Sequence, residues 1–569
     1  MSIVNGEAHW KAEDGLPLLQ VTVGDLLDQR AQELPEHPFL VCCDEESGTT
    51  VHLGLSAFKA RVDAFAHGLM ALGIGPGEKV AILASNRPEW LVANFAVPKI
   101  GAVLVTVNTH VRKDELAHVL RQGEVRALVM QRAHRGNPFL EHLHALVPDL
   151  GQASRPDGEP LPLPALAHVI LIGETHAEPG TVLFDEVEAH GATLPMQPLQ
   201  QRQQAVKPHD VWQIQFTSGT TGAPKGAMLT HFGTVNNAWI FGSAAGIRAG
   251  DRIVSTMPLF HTAGNIMELL GALVHKGTLI KGSAFEPAFM LQLIEQERPT
   301  IICAVPTMFI SMMNHERYRS GHVDMSSLRL MIGGGVPMPI ALLRRITQEM
   351  GIEAQFGFGM TELSPMVTCT RPDDPLERKC TTVGSPLPHI DVKVARADGS
   401  CCALDEPGEL CVRGFGVTAG YYRQPDATAK AIDAEGWLHS GDLAVMEHDG
   451  TVRIVGRIKD MIKRGGENVY PVEVENFLMQ HPKVAQAQVV GVPDDYMGEE
   501  GAAFLQVRPG QVLDEAEIRD YCRANMARHK LPKYFRFVEA YPLTPSGKVM
   551  KYALRERLMA ELQASGASA

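Results

Sequence analysis

Short apolar runs alternate along this chain with stretches of helical period, and that alternation restricts the fold more than any other feature. Phe39 to Cys43, Val80 to Ala84, Val103 to Val107, Ala127 to Met130 and Val169 to Ile172 read as buried strands. Between the first two, Phe58, Val62, Phe65, Leu69 and Leu72 recur at steps of four and three up to Gly73, which predicts a helix with one apolar face. Glu89 to Ile100 and Leu116 to Arg121 predict two more helices. Thr22, with Asp25 three residues on and an apolar run following, is an expected N-cap. Strands separated by helices become parallel strands joined by crossovers, because each crossover helix must lay its apolar face on the sheet. The expected class is therefore α/β. At 569 residues the chain exceeds one ordinary core, so two or more domains are expected. Gly151 to Ala165, rich in proline and small residues, reads as an internal connection.

The chemistry begins at Thr217-Ser218-Gly219-Thr220-Thr221-Gly222-Ala223-Pro224-Lys225-Gly226, fed by the strand-like Val211 to Phe216. Glycines let backbone N–H groups turn toward a ligand, hydroxyls add neutral donors, and the lysine brings one compact positive charge. Together these suit phosphate oxygens. A Walker loop needs Gly-Lys-Ser/Thr, whereas Lys225 lies between Pro224 and Gly226, so the loop is of another class. Further downstream come Met257-Pro258-Leu259-Phe260-His261-Thr262-Ala263-Gly264, then Gly333-Gly334-Gly335 after a probable strand over Arg329 to Ile332. Gln355-Phe356-Gly357-Phe358-Gly359-Met360-Thr361-Glu362, Trp437-Leu438-His439-Ser440-Gly441-Asp442 and Gly456-Arg457-Ile458-Lys459-Asp460 follow. The last motif is Pro545-Ser546-Gly547-Lys548.

In this order the motifs resemble those of the adenylate-forming (AMP-binding) superfamily, in its acyl-CoA synthetase branch, and the resemblance covers nearly the whole chain. It implies a large N-terminal domain over 1–458, with αβα layers, parallel sheets and a β-barrel-like part. A small mobile α+β domain over 459–569 would follow, pivoting at Lys459. By the same resemblance Thr217, Ser218, Gly219, Thr220, Thr221, Gly222 and Lys225 hold the ATP phosphates. Gly334 and Gly335 lie beside the adenine, Phe358 stacks on it, and Gly357, Gly359 and Met360 complete that element. Thr361 touches the α-phosphate, while Glu362 and Thr217 hold Mg²⁺. Phenylalanine stands at 358 where the family has tyrosine, which keeps the stacking face. Asp442 accepts from the ribose hydroxyls and Arg457 adds a contact. Lys463, Gly465, Gly466 and Glu467 face CoA, and Lys548 is the catalytic lysine, acting with Glu362, Thr217 and Lys225.

For the acid, the resemblance implies a pocket lined by His261, Gly264, Gly333, Gly359 and Met366. Acetate-specific members carry a tryptophan at the position of Gly359, so its hydrogen here implies a longer pocket. The Phe260-His261-Thr262 region lacks the carboxylate that would hold an amino acid's ammonium group. The expected activity is ATP-dependent formation of acyl-CoA from a medium- or long-chain fatty acid through acyl-AMP, with ATP, Mg²⁺ and CoA as cofactor and co-substrates. Alternatives are an acyl-AMP ligase loading a carrier protein, an aryl-acid CoA ligase, a luciferase-type oxygenase, or a degenerate nucleotide-binding protein. The last is disfavoured because Lys548, Glu362 and Lys225 are all in place.

Net charge −13 without a basic block argues against nucleic acid as a partner. Nine cysteines without a C-x-x-C spacing read as reduced thiols. Met1 to Gly15 is no secretory signal, and Ile301 to Met313, broken by Pro306, is short of the roughly 18 residues that span a bilayer. A cytoplasmic enzyme, monomeric or homodimeric, is expected.

Overall fold

Thr22 caps the first long helix, Val23–Glu33, its hydroxyl accepting the Asp25 N–H at 3.1 Å. The helix expected between the first two predicted strands runs Leu55–Ala71, with Phe58, Val62, Phe65 and Leu69 fully buried, and Gly73 follows it with φ +82°. These observations come from a computed structural model that describes residues 3–148, 150, 163–217, 224–335, 338–543 and 549–564. Much of the connection read over Gly151 to Ala165 lies outside the described residues, as do Ser218 to Ala223 and Lys548.

The chain divides into two compact units. One comprises 12–391 and 413–438 and holds two seven-stranded sheets. The first sheet orders its strands Lys225–Thr230, Val211–Thr217, Val103–Thr106, Lys79–Leu83, Val125–Gln131, His168–Ile172 and Val182–Leu183. All its neighbours are parallel except the first pair, Lys225–Thr230 with Val211–Thr217, which is antiparallel. The second sheet orders Glu353–Gly357, Leu330–Gly334, Ile301–Cys303, Arg252–Ser255, Thr278–Gly282, Pro38–Cys43 and Thr50–Gly54, again parallel except for its last pair. Central strands are buried on both faces, as their continuous apolar runs require. The motif-bearing segments follow the carboxyl ends of parallel strands, where such sheets leave room for ligands.

The other unit comprises 1–11, 392–412 and 439–569. A five-stranded sheet of His9–Trp10, Ile390–Ala395, Gly408–Gly414, Leu438–Met446 and Val452–Arg457 builds the part expected to be barrel-like. From Ile462 onward a second sheet, with Gly498–Val507 at its centre and Val484–Asp494 paired to it at one edge, carries two cores of its own. One includes Val474, Leu478, Ile518 and Phe535; the other joins Val492 and Phe504 to Leu554 and Leu558 of the last helix.

One buried ion pair in the larger unit bears on chemistry. The segment after His261 is a π-helix, Ala263–Leu270, whose Glu268 is only 2% exposed. Its carboxylate accepts from Lys281 Nζ at 2.6 Å and from the Ser255 hydroxyl at 2.7 Å, and Lys281 is itself 1% exposed. Burial raises the Glu268 carboxyl above its ordinary range, and Lys281 opposes that rise. A carboxyl whose folded value lies above its unfolded one favours the folded state at low pH and loses that advantage as pH climbs toward the folded value. Replacing Lys281 by methionine removes the opposing charge and lifts the folded value further. The destabilisation of Lys281→Met is therefore expected to be modest near pH ~5 and to reach about 3–5 kcal/mol at pH ~8. Chemical unfolding of both proteins at the two pH values checks this, and a pH-independent gap contradicts it.

Candidate active site

Thr217 and Lys225, on either side of the part of the phosphate-loop motif that lies outside the described residues, are on paired antiparallel strands, Val211–Thr217 and Lys225–Thr230. Thr217 pairs directly with Lys225 in the ladder, and its hydroxyl donates to the Lys225 carbonyl at 3.4 Å. His118 Nε2 donates to the Pro224 carbonyl at 3.0 Å, one residue before the returning strand begins. Of the loop, Ser218, Gly219, Thr220, Thr221 and Gly222 lie outside the described residues.

Glu362 belongs to a short 3₁₀ turn, Thr361–Leu363, and is 7% exposed. Its carboxylate Oε1 accepts the Tyr421 hydroxyl at 2.9 Å. Lys225 Nζ lies over the Tyr421 ring, 4.9 Å from the centroid. Two residues singled out from separate motifs thus meet on one aromatic side chain. Burial, and after it the Glu362 charge, pushes the Tyr421 phenol above its ordinary range, so the hydroxyl keeps its proton and serves as donor. Tyr421 escaped the sequence reading; Gly420-Tyr421-Tyr422 has no feature that marks a site until the fold brings it under Lys225.

The stretch from Gln355 to Glu362 is a tight return of the chain. Phe358 sends its N–H to the Thr368 hydroxyl at 3.1 Å and its carbonyl accepts the Val367 N–H at 2.9 Å. Its side chain is partly exposed, leaving ring surface for a stacking partner. Met360 N–H donates to the Pro365 carbonyl at 3.0 Å, and Gly359 bridges Met366. Asn237 clamps Met366 through both backbone groups, at 2.7 and 3.0 Å. Gly333 and Gly334 pair with Phe356 and Gly357 in the parallel ladder, and Gly335 has φ +77°, a conformation that favours glycine.

The glycines correct one expectation. A Cβ on Gly359 would lie 2.4 Å from the Pro365 carbonyl oxygen and 2.9 Å from Met366 Sδ. One on Gly264 would sit 2.3 Å from the Pro258 carbonyl, and one on Gly357 2.4 Å from that of Thr368. Close backbone approach inside the protein accounts for these glycines. The space beside Gly359 is filled by the chain itself, so a tryptophan there requires backbone movement and is no clean gauge of pocket length.

His261 lies just before the π-helix Ala263–Leu270, and its Nδ1 accepts the Ala263 N–H at 3.2 Å. Two amides absent from the sequence reading hold this region. Gln215, in the strand before the phosphate loop, donates to the Phe260 carbonyl at 2.8 Å. Asn86 donates to the carbonyls of Thr256, Met257 and Gly282 and accepts the Leu259 N–H. Within the π-helix Ala263 and Met267 are partly exposed, whereas Gly264, Ile266, Leu269 and Leu270 are buried.

In the other unit Asp442, 5% exposed, pairs across the ladder with Arg457, whose Nε donates to Asp442 Oδ1 at 2.9 Å. The turn before Asp442 is held by Glu409, another residue the sequence reading missed. Its carboxylate accepts the Gly441 N–H at 3.0 Å and engages His439 Nδ1 at 2.8 Å. Cys411 completes a cluster whose ligand atoms all lie within 4.8 Å, and the His439 contacts account for that closeness. Lys459 lies in a 3₁₀ turn, Ile458–Asp460. Lys463 belongs to the strand Ile462–Arg464 and Glu467 to Glu467–Val469; Gly465 and Gly466, at φ +58° and +88°, make the two-residue turn between them. Two consecutive positive φ values are what a type I′ hairpin turn demands.

With this geometry in hand, comparison with known proteins is decisive. Residues 27–422 match the AMP-binding enzyme family and residues 473–548 the AMP-binding enzyme C-terminal domain. The chain belongs to the AMP-binding enzymes, in their acyl-CoA synthetase branch. It is similar to YngI of Bacillus subtilis (strain 168), at 40% identity over 95% of this chain and 97% of that one. It is 37% identical to the human mitochondrial medium-chain acyl-CoA ligase ACSF2, over 94% of this chain and 87% of the relative. Among solved structures, the anthranilate CoA ligase AuaEII in complex with anthranoyl-AMP aligns with TM-score 0.82 at 26% identity, covering 96% of this chain and 99% of that one. A Mycobacterium tuberculosis fatty acyl CoA synthetase aligns with TM-score 0.72 at 29% identity, covering 95% and 99%.

Glu409 yields a direct test. Glu409→Ala releases the turn that carries Asp442 and is expected to raise KM for ATP about tenfold, the worth of one charged hydrogen bond of about 1.5 kcal/mol, with kcat changed less than about twofold. Steady-state kinetics in ATP measures it, and an unchanged KM separates Glu409 from the nucleotide.

Proposed function

We propose that this acyl-CoA synthetase acts on medium- or longer-chain fatty acids, with the residues above in the roles their motifs imply. The observation that carries the site assignment is the convergence of Lys225 and Glu362 on Tyr421. A cation for phosphate and a carboxylate for metal sit at the mouth of the hairpin that bears the donor-rich loop. Glu362 and the Thr217 hydroxyl are hard oxygen donors, the set Mg²⁺ takes alongside phosphate oxygens. When bound there, Mg²⁺ supplies charge neutralisation for the pyrophosphate leaving group.

The chain's own groups then do the positioning. Lys225 and the loop N–H groups hold the β- and γ-phosphates, Phe358 stacks on adenine, and Asp442 with Arg457 engages the ribose. One carboxylate oxygen of the acid attacks the α-phosphorus and the bond to pyrophosphate breaks, giving acyl-AMP. Lys548 bridges the two anions as charge shifts between them, work that is mostly orientation and electrostatics. The CoA thiol, losing its proton, then attacks the acyl carbon and AMP departs. The separate cores of the residues from Ile462 onward support a domain of 459–569 that turns about Lys459 between these steps and presents Lys463 and the Gly465-Gly466 turn to CoA.

For the acid, the buried Glu268 supports an uncharged chain, since its carboxylate is spent on Lys281 and Ser255. The name of the human relative supports medium length. The likeness to an anthranilate CoA ligase supports an aryl acid as the second reading. Nine free cysteines support a reducing compartment, for which the cytoplasm is proposed, with the enzyme acting as monomer or homodimer. No helix among the described residues is long and apolar enough to cross a membrane.

Lys548→Ala is expected to lower adenylate formation by 10²–10³, about 3–4 kcal/mol of transition-state stabilisation, and to spare CoA transfer from preformed acyl-AMP. Single-turnover assays of the two half-reactions measure this. Equal losses in both contradict a step-specific lysine.

A further inference from the structure

We propose that Tyr421 is a positioning residue for the phosphate and metal groups, its hydroxyl aiming the Glu362 carboxylate and its ring seating the Lys225 ammonium. The inference rests on the site assignment just proposed and adds a residue and a division of labour to it.

The ring is built in rather than resting on the surface. Tyr421 is 8% exposed, its N–H donates to the Thr428 hydroxyl at 2.9 Å, and it bridges Ala227 in the strand that Lys225 begins. Nearby, Thr418 N–H donates to the Glu362 carbonyl at 2.8 Å, and the Thr418 hydroxyl donates to the Met228 carbonyl at 2.7 Å. The segment 418–421 thus ties Glu362 and the Lys225 strand together through backbone and side chain alike. Lys225 and Glu362 form no ion pair with each other among the described residues; each charge is held by the tyrosine instead. That arrangement leaves both charges for a ligand. The hydroxyl occupies Oε1 of Glu362 and would leave Oε2 for a bound metal, while the ring face offers the ammonium a shallow electrostatic seat.

The two halves of the proposal separate by substitution. Tyr421→Phe keeps the ring and loses the hydroxyl; Tyr421→Leu loses both. ATP binding is measured by calorimetry in EDTA, and Mn²⁺ binding by electron paramagnetic resonance in the presence of a non-hydrolysable ATP analogue. Wild type is expected to bind ATP in both conditions. Tyr421→Phe is expected to keep metal-free ATP affinity within about twofold while weakening Mn²⁺ about tenfold. Tyr421→Leu is expected to weaken metal-free ATP binding about three- to tenfold as well. Unchanged Mn²⁺ affinity in Tyr421→Phe, or metal-free ATP affinity in Tyr421→Leu equal to that of Tyr421→Phe, overturns the inference and leaves the site assignment standing. A wild-type protein that binds no ATP overturns the site assignment and this inference with it.

Discussion

A buried phenol that gives its hydrogen to one carboxylate and its face to one ammonium is the contact on which this site depends. Phosphate chemistry needs positive charge at the leaving group and a metal-bearing carboxylate nearby, and opposite charges set free in one cleft tend to neutralise each other. Tyr421 answers both requirements by holding Glu362 at one end and Lys225 at its ring. The parallel sheets supply the rest. They deliver the paired strands Val211–Thr217 and Lys225–Thr230 and the segment after Glu353–Gly357, to which the proposed site residues belong.

Local signals in the sequence translated directly into structure where the physics was local. Thr22 caps its helix, and Gly73 ends the helix before it. The strand–helix alternation became two largely parallel sheets, since apolar periodicity alone dictates which faces are covered. Motifs also located Glu362, Lys225, Asp442 and Arg457, two pairs that the fold links through Tyr421 and through a direct ion pair.

What stayed hidden was long-range. Tyr421, Asn86 and Glu409 act through partners far away in sequence, and nothing in their own neighbourhoods distinguishes them from ordinary interior or loop residues. The glycines misled for a related reason. Gly359 reads as spare room, yet the Pro365 carbonyl fills the place of its absent side chain. Glu268, in the segment after His261, is likewise answered only by the fold, where Lys281, thirteen positions on, cancels its charge. Sequence gives residue types; only the fold decides which charges remain to meet a ligand.

The central claim is that this enzyme first adenylates an uncharged acid and only then engages CoA. Acid-dependent exchange between radiolabelled pyrophosphate and ATP, run without CoA over unbranched acids of graded length, tests it most directly. The account predicts exchange that climbs several-fold per added carbon, as each buried CH₂ contributes about 0.8 kcal/mol, until the pocket ends. Adding CoA should then convert exchange into net AMP release. Exchange that peaks at acetate, or that requires CoA to appear at all, would contradict the account.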